Sequence, residues 1–348
     1  MKIALITDTH LGARNDNPYY ADYFYKFFDT IFFPYIKKHN INTIIHLGDI
    51  VDRRKFINFK TLQDFRKKFV DRIKDMDVHI IVGNHDTYYK NTNEINAPRE
   101  LINHFNIYDN PIKINIGGMD MLILPWVNST NEEKTVMMLE QETADIVLGH
   151  LAIKGFEMNN GYMSDVGLER HMFRRFEKVL TGHFHKKVDD GQIYYLGSPY
   201  EFMWSDYNCP KGFHILDTET REIERIKNPF TIHHKINYND ELNDYSNYDY
   251  SQCKDKFVKL IVDKKKDYYL FDKFIDDMYK KTNVYDLKII EDYSDLDAST
   301  VADDIVEKSE DTPTLLENYI DQIETELDKN RLKTLMKSLY TEAGDVDV

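Results

Sequence analysis

Asp8 and His10 stand two residues apart at the end of the first apolar run of the chain, residues 3–7. Four further sets of the same character follow in order. They are Gly48-Asp49 with Asp52-Arg53, then Gly83-Asn84-His85-Asp86, Gly149-His150, and Gly182-His183-Phe184-His185. A lone Asp-x-His is background, and Gly-Asp or Gly-His is ordinary turn chemistry. Five such sets, each closing an apolar run, supply enough oxygen and nitrogen donors to hold two divalent metals side by side. That equipment suits hydrolysis of a phosphate ester.

Two neighbouring cations repel and need a bridging anion between them. Asp49 is the best candidate, because a carboxylate has two oxygens and this one follows the Gly48 turn. Asp8 and His10 can reach one metal together. Asn84 offers an amide oxygen, and His150, His183 and His185 offer imidazoles. His183 and His185, two apart in an extended segment, can each face a different metal. Oxygen and nitrogen without thiolate favour Mn²⁺, Fe²⁺ or Zn²⁺ over Mg²⁺. A departing alkoxide needs a proton, and His85, beside Asn84, is placed to give it, with Asp52 able to hold that imidazole in one tautomer. Arg53, directly after Asp52, can meet a phosphate oxygen. The remaining eight histidines match no set and read as surface or satisfied core residues.

Positioning such groups calls for strands that end where the ligands begin. Residues 3–7, 43–47, 78–82, 145–148 and 178–180 are short, rich in Ile, Val and Leu, and each runs into one of the five sets. Continuous apolar runs of this length read as strands buried on both faces. Further strands are expected at 119–124, 193–196 and 213–216. Helical segments intervene at 19–39 and 58–75, the latter placing Phe59, Leu62, Phe65, Phe69 and Ile73 on one face. Strand alternating with helix gives an α/β class, with the ligands gathered at the carboxyl ends of the strands.

The character changes near residue 230. Residues 237–256 are polar, and 257–262, 270–281 and 284–290 suggest a small strand–helix–strand unit. An acidic stretch follows, and from Thr314 a helical pattern resumes with Leu315, Leu316, Tyr319, Ile320, Ile323 and Leu327 on one face. The expected organisation is a phosphoesterase domain over 1–230, a cap over 231–290, an acidic linker over 291–313 and a helical tail over 314–348.

Composition narrows the setting. The 348 residues are 42% hydrophobic and 13% aromatic, which supports a packed core and excludes global disorder. The net charge of −15 is awkward for an enzyme acting on nucleic acid. It is concentrated in residues 291–348, which hold 5 Lys and Arg against 17 Asp and Glu. The other 290 residues are near neutral. Cys209 and Cys253 have neither disulfide-framework nor zinc spacing, no apolar stretch approaches the roughly 20 residues of a membrane span, and no leader is expected ahead of residue 3. A cytoplasmic protein without membrane attachment is the expectation.

These residues resemble the calcineurin-type metallophosphoesterases. Within them, Asp8-Thr9-His10-Leu11-Gly12, Gly48 to Lys55, Gly83 to Asn91, Gly182 to His185 and Tyr195 to Pro199 are similar to the SbcD-type nuclease subunits, including those of T4-like bacteriophages. The resemblance spans the chain and is specific through about residue 220. It implies a β-sandwich flanked by helices, with a small α+β cap and a C-terminal helical tail. It also implies one metal on Asp8, His10, Asp49 and His185, a second on Asp49, Asn84, His150 and His183, and His85 as the catalytic histidine. The implied activity is Mn²⁺-dependent, with Mg²⁺ as the alternative ion. It comprises 3′-to-5′ cleavage of double-stranded DNA and endonuclease action on single strands. The implied partners are a second copy of the chain and an SbcC-type coiled-coil ATPase docked near the C-terminus. The sequence departs from many cellular relatives at Asp52, where they carry histidine. The alternatives are a phosphomonoesterase or cyclic-nucleotide phosphodiesterase with the same metals, or a catalytically silent adaptor of the ATPase.

Overall fold

Branched aliphatic residues dominate the runs that precede the candidate ligands, and those runs form strands, as side chains that pack well on a pleated surface should. The computed structural model describes residues 1–291 except 103, 160 and 161, together with residues 320, 329–333, 335 and 336. In chain order the strands are β1 (Lys2–Ile6), β2 (Thr43–His46), β3 (Asp77–Ile81), β4 (Asn106–Tyr108), β5 (Ile112–Ile116) and β6 (Met119–Leu124). Then come β7 (Ile146–His150), β8 (Glu157–Asn159), β9 (Tyr162–Met163), β10 (Lys178–Gly182), β11 (Val188–Asp189) and β12 (Ile193–Tyr195). The last are β13 (Lys211–Asp217), β14 (Ile223–Asn228), β15 (His233–Asn239), β16 (Phe257–Lys264) and β17 (Asp286–Ile290).

The first sheet runs β14-β13-β1-β2-β3-β4 and the second β11-β12-β10-β7-β6-β5. Strands β1 to β4 are mutually parallel, and so are β6, β7, β10 and β12. Register brings their carboxyl ends level: Ile6 lies beside His46, and Gly182 beside His150. All five ligand-bearing loops therefore leave from one end of the two sheets. Between the sheets lies a core of Ile3, Leu5, Ile45, Leu47 and Ile81 against Met121, Ile123, Ile146, Leu148 and Leu180. The mixed α/β sandwich is the fold class expected.

Helices cover the outer faces. Leu139, on the helix Glu132–Gln141, joins Leu122, Val147 and Val179 of the second sheet, with Phe173 from the turn Arg170–Phe173 in the same cluster. On the first sheet, the helix Pro18–Phe27 continues through a π-helical turn, Phe28–Phe32, into Phe33–Lys38. Phe27 and Phe32 pack on Phe213 of β13 at 6.1 and 4.9 Å between ring centroids, and Phe28 packs on Phe69 at 5.0 Å. Each buried phenylalanine contributes about 1.5–3 kcal/mol. The apolar face of 58–75 could serve either as core or as a surface that pairs two copies of the chain, and Phe65 and Phe69 are 0% and 4% exposed. The stripe is spent on the protein's own aromatic layer. Phe59, 88% exposed, is the member left outside.

The described residues separate into two compact units. Met1–Phe202, Asp206–His234 and Asp255–Phe257 make the first, and Met203–Ser205, Lys235–Lys254 and the described residues from Val258 onward make the second. In the second, Tyr238, Leu260, Phe271, Phe274 and Met278 form a core under the helix Tyr268–Lys281, whose N-cap Asp267 accepts the Tyr269 and Leu270 amides. The acidic linker and helical tail expected beyond residue 291 lie outside the described residues, apart from the isolated positions named above. Among the described residues no helix is long and apolar enough to cross a membrane.

Candidate metal centre

The loops after β1 and β2 are tied to each other by their backbones. Asp8 donates to the Gly48 carbonyl at 3.0 Å, His10 to that of Asp49 at 3.1 Å and Leu11 to that of Ile50 at 2.8 Å. Asp8, His10, Asp49 and His183 all have positive φ, at 51°, 40°, 56° and 88°. Left-handed backbone costs a side-chain-bearing residue roughly 1–2 kcal/mol. Four such residues at candidate ligand positions mean that the surrounding structure holds the loops against their local preference. Glycine is required where the loops meet: a Cβ at Gly83 would collide with the Asp49 carboxylate, and one at Gly182 with Thr7 Oγ1.

A residue with no role assigned from sequence closes this arrangement. Asp86, wholly buried, accepts the amides of Asp49 at 2.8 Å, Ile50 at 2.9 Å and Gly83 at 2.9 Å, clamping the loop after β2 to the loop after β3. Burial and then the nearby Asp49 charge push its carboxyl up to about 6, against the pull of the amides it accepts. Its position directly after His85 is the only sequence signal, since its partners lie in two separate loops.

The predicted ligands converge. Donor atoms of Asp8, His10 and His185 all lie within 4.8 Å of one another, and so do those of Asp49, His150 and His183. In the first group His10 Nε2 stands 4.0 Å from Asp8 Oδ1 and 3.6 Å from Asp49 Oδ2, while His185 Nε2 is 3.9 Å from Asp8 Oδ1. In the second, His150 Nε2 is 3.2 Å from Asp49 Oδ2. Asn84 Oδ1 completes it, 3.0 Å from His150 Nε2 and 2.9 Å from His183 Nδ1. Asp49 Oδ2 lies within 3.6 Å of an imidazole of each group. His150 Nδ1 donates to the Leu47 carbonyl at 2.8 Å, which turns Nε2 inward.

The electrostatics suit ligation. Burial opposes ionisation of Asp49, but the His150 and His85 imidazoles outweigh it and hold the carboxyl well below its usual range. Burial opposes charge on His150 too, yet Asp49 and Asp8 push it up to about 9. A proton on His150 thus answers the Asp49 charge as a cation would. Burial first, then the His150 charge, pushes His183 down to about 3. Burial, with the His10 and Lys211 charges, holds His185 well below its usual value. Both are neutral imidazoles, the form that binds metal.

Around His85 the structure differs from expectation in one contact. Its Nδ1 donates to the backbone carbonyl of Asp52 at 2.6 Å, and the Asp52 carboxylate instead stands 3.4 Å from His10 Nδ1. A carbonyl can only accept, so Nδ1 carries the proton and Nε2 is left for other work. The same tautomer control is achieved by a different atom of the expected residue. Arg53 lies outside both ligand groups: it is ion-paired with Asp16 and lies over the Phe56 ring, 4.6 Å from its centroid. Phosphate binding by Arg53 has to compete with that carboxylate. Three of the histidines outside the five sets bond protein groups: His46 bonds Thr9 Oγ1 at 3.0 Å, His79 bonds Tyr108 at 2.7 Å and His233 bonds Tyr20 at 2.7 Å.

Divalent metals fit these residues. His10 Nε2 is buried without a hydrogen-bond partner. Its carboxylate neighbours stand too far for hydrogen bonds but at the roughly 3–4 Å that separates atoms each about 2 Å from one shared ion. Residues 1–187 match the family described as calcineurin-like phosphoesterase. Over 354 residues the chain is 32% identical to exonuclease subunit 1 of Enterobacteria phage T4, covering 99% of each. It is 24% identical over 266 residues to the SbcD subunit of the nuclease SbcCD of Staphylococcus epidermidis, covering 64% of this chain and 67% of that protein. The corresponding protein of Staphylococcus saprophyticus is 21% identical over 265 residues, with the same coverage.

Proposed function

Because the chain belongs to the calcineurin-like phosphoesterase family and is a metal-dependent phosphodiesterase, we propose that it is the nuclease subunit of an SbcCD-like DNA recombination and repair complex. The reading comprises 3′-to-5′ cleavage of duplex DNA and endonuclease action on single strands. The observation that carries it is the two adjacent groups Asp8–His10–His185 and Asp49–His150–His183, with Asp49 also 3.6 Å from His10 and His85 held beside them. One cation would be held by Asp8, His10, Asp49 and His185, and the other by Asp49, Asn84, His150 and His183. The borderline donor set favours Mn²⁺, with Mg²⁺ as the alternative. Bound together, such ions supply Lewis acidity and a nucleophile at neutral pH.

The chain's own groups do the rest. The Asp52 carbonyl holds the His85 proton on Nδ1, and the Asp49 carboxylate accepts the His85 backbone amide at 2.8 Å, fixing ring and backbone together. A second proton, carried on Nε2, is the one His85 would give to the departing alkoxide, a step worth roughly 10²–10⁴-fold. Asp52 keeps His10 oriented, raising its basicity against burial. Exposed Phe56 and Phe59 offer a surface for homodimerisation in place of the buried Phe65–Phe69 face. The terminal residues 314–348 would dock on a coiled-coil ATPase, and the complex would act in the cytoplasm.

The test is digestion of end-labelled duplex and single-stranded DNA, beside p-nitrophenyl phosphate esters, with Mn²⁺ or Mg²⁺. Each is run with and without the ATPase, for the full chain and for a chain ending at Asp311. We expect DNA cleavage by both chains and ATP-stimulated duplex degradation by the full chain alone. Efficient monoester hydrolysis with inert DNA would replace the nuclease by a phosphatase.

A further inference from the structure

Strand β13 contributes a lysine that barely meets solvent. Lys211 is 2% exposed, and its Nζ donates to the His185 carbonyl at 2.8 Å and to Ser198 Oγ at 2.9 Å. It is also ion-paired with Asp206, itself buried. The second Asp206 oxygen accepts the Phe202 amide at 3.0 Å. The Phe202 ring lies against His10 and His185, at 4.9 and 4.6 Å between centroids. One buried ion pair thus grips the peptide of one imidazole ligand and the residue that backs two of them.

A buried ion pair is weak evidence for stability, since desolvating both charges offsets their attraction. Its effect here is positional. Imidazoles that share a cation tolerate displacements of only about 0.5 Å before the site loosens. The His10 ring has the Asp52 carboxylate 3.4 Å from Nδ1 and the Phe202 ring against its face. The second group is fixed by other means: His150 by the Leu47 carbonyl, and His183 by its amide on Asp8 at 3.1 Å.

We propose that Lys211 and Asp206 are positioning residues that set the affinity of the Asp8–His10–His185 cation position without setting that of the Asn84–His150–His183 position. The inference rests on the two-cation reading above. Mn²⁺ binding to the full chain, followed by calorimetry and electron paramagnetic resonance, separates the two. Wild type should bind two equivalents; fewer would sink the two-cation reading and the inference with it. In a His150→Ala background the remaining equivalent reports the first position, and in His185→Ala it reports the second. Adding Lys211→Met with Asp206→Asn should weaken the first roughly 10–100-fold, the range for removing groups that orient a ligand. The second should be unchanged. Equal loss in both backgrounds, or no loss in either, overturns the proposal. Should that double change prevent folding, Phe202→Leu leaves the ion pair intact and removes only the ring face. It carries the same expectation, and undisturbed binding of the first ion there rejects the proposal equally.

Discussion

His85 and Asp49 sit side by side in the centre yet should fail in different ways. His85 donates its backbone amide to Asp49 and its ring is the proposed proton donor, so His85→Asn should keep both cations while cleavage falls roughly 10²–10⁴-fold. Wild-type rates, or metal missing by elemental analysis, would remove it from the acid role. Asp49 stands within 3.6 Å of one group's imidazole and 3.2 Å of the other's, so Asp49→Ala should weaken both ions together. Two tightly bound equivalents by calorimetry would show that the bridge is elsewhere. The candidate ligands that converge here were readable from sequence because each follows an apolar run short enough to form a buried strand. Asp86 was not readable: a carboxylate beside a histidine suggests chemistry, whereas its three close amide partners come from chain segments that only the fold joins. The Asp52 carbonyl was equally hidden, because sequence names side chains and this contact uses the backbone.

Strands buried on both faces announce themselves, and β6 was placed to the residue. β14, Ile223-Glu224-Arg225-Ile226-Lys227-Asn228, was missed because an edge strand half in solvent carries charges where a central one carries valine. The helix Glu132–Gln141 was not among the expected helical segments either. The segment 58–75 was recognised as helical, but an apolar stripe does not say what covers it. Since Phe65 is fully buried against Phe69, Phe65→Asp should cost more than about 3 kcal/mol and yield aggregated or unfolded chain. A folded monomer in light scattering would restore that face as an interface. In β13, burial, with the Arg225 and Lys187 charges, pushes His214 down to about 3. Its unfolded value is near 6.5, so between pH 6.5 and 3 the unfolded chain takes a proton that the folded one refuses. That group removes no stability above pH 6.5 and about 2 kcal/mol by pH 5. Urea midpoints at pH 7 and 5, with chelator present, should fall less for His214→Gln than for wild type. An identical drop would mean that the histidine is not held neutral.

At the scale of the molecule, the two sheets meet face to face through an apolar core and at one end through the centre. Asp8, His10 and Asp49 follow strands of the first sheet, whereas His150 ends β7, and His183 and His185 follow β10, both in the second. Each proposed ion therefore takes ligands from both sheets, and unfolding cannot part the sheets without breaking coordination. The feature then governs lifetime as well as chemistry. An ion at 100 times its dissociation constant adds about 2.7 kcal/mol to the native state. If the sheets separate before the ions leave, that energy enters the unfolding barrier. Unfolding in concentrated urea should then be slower with saturating Mn²⁺ than with EDTA, by roughly two orders of magnitude per ion still bound at the transition state. Equal rates would mean that the ions depart first. A slower rate would make the catalytic ions the clasp of the sandwich, so that a cell short of manganese would lose the protein to proteolysis as well as its activity.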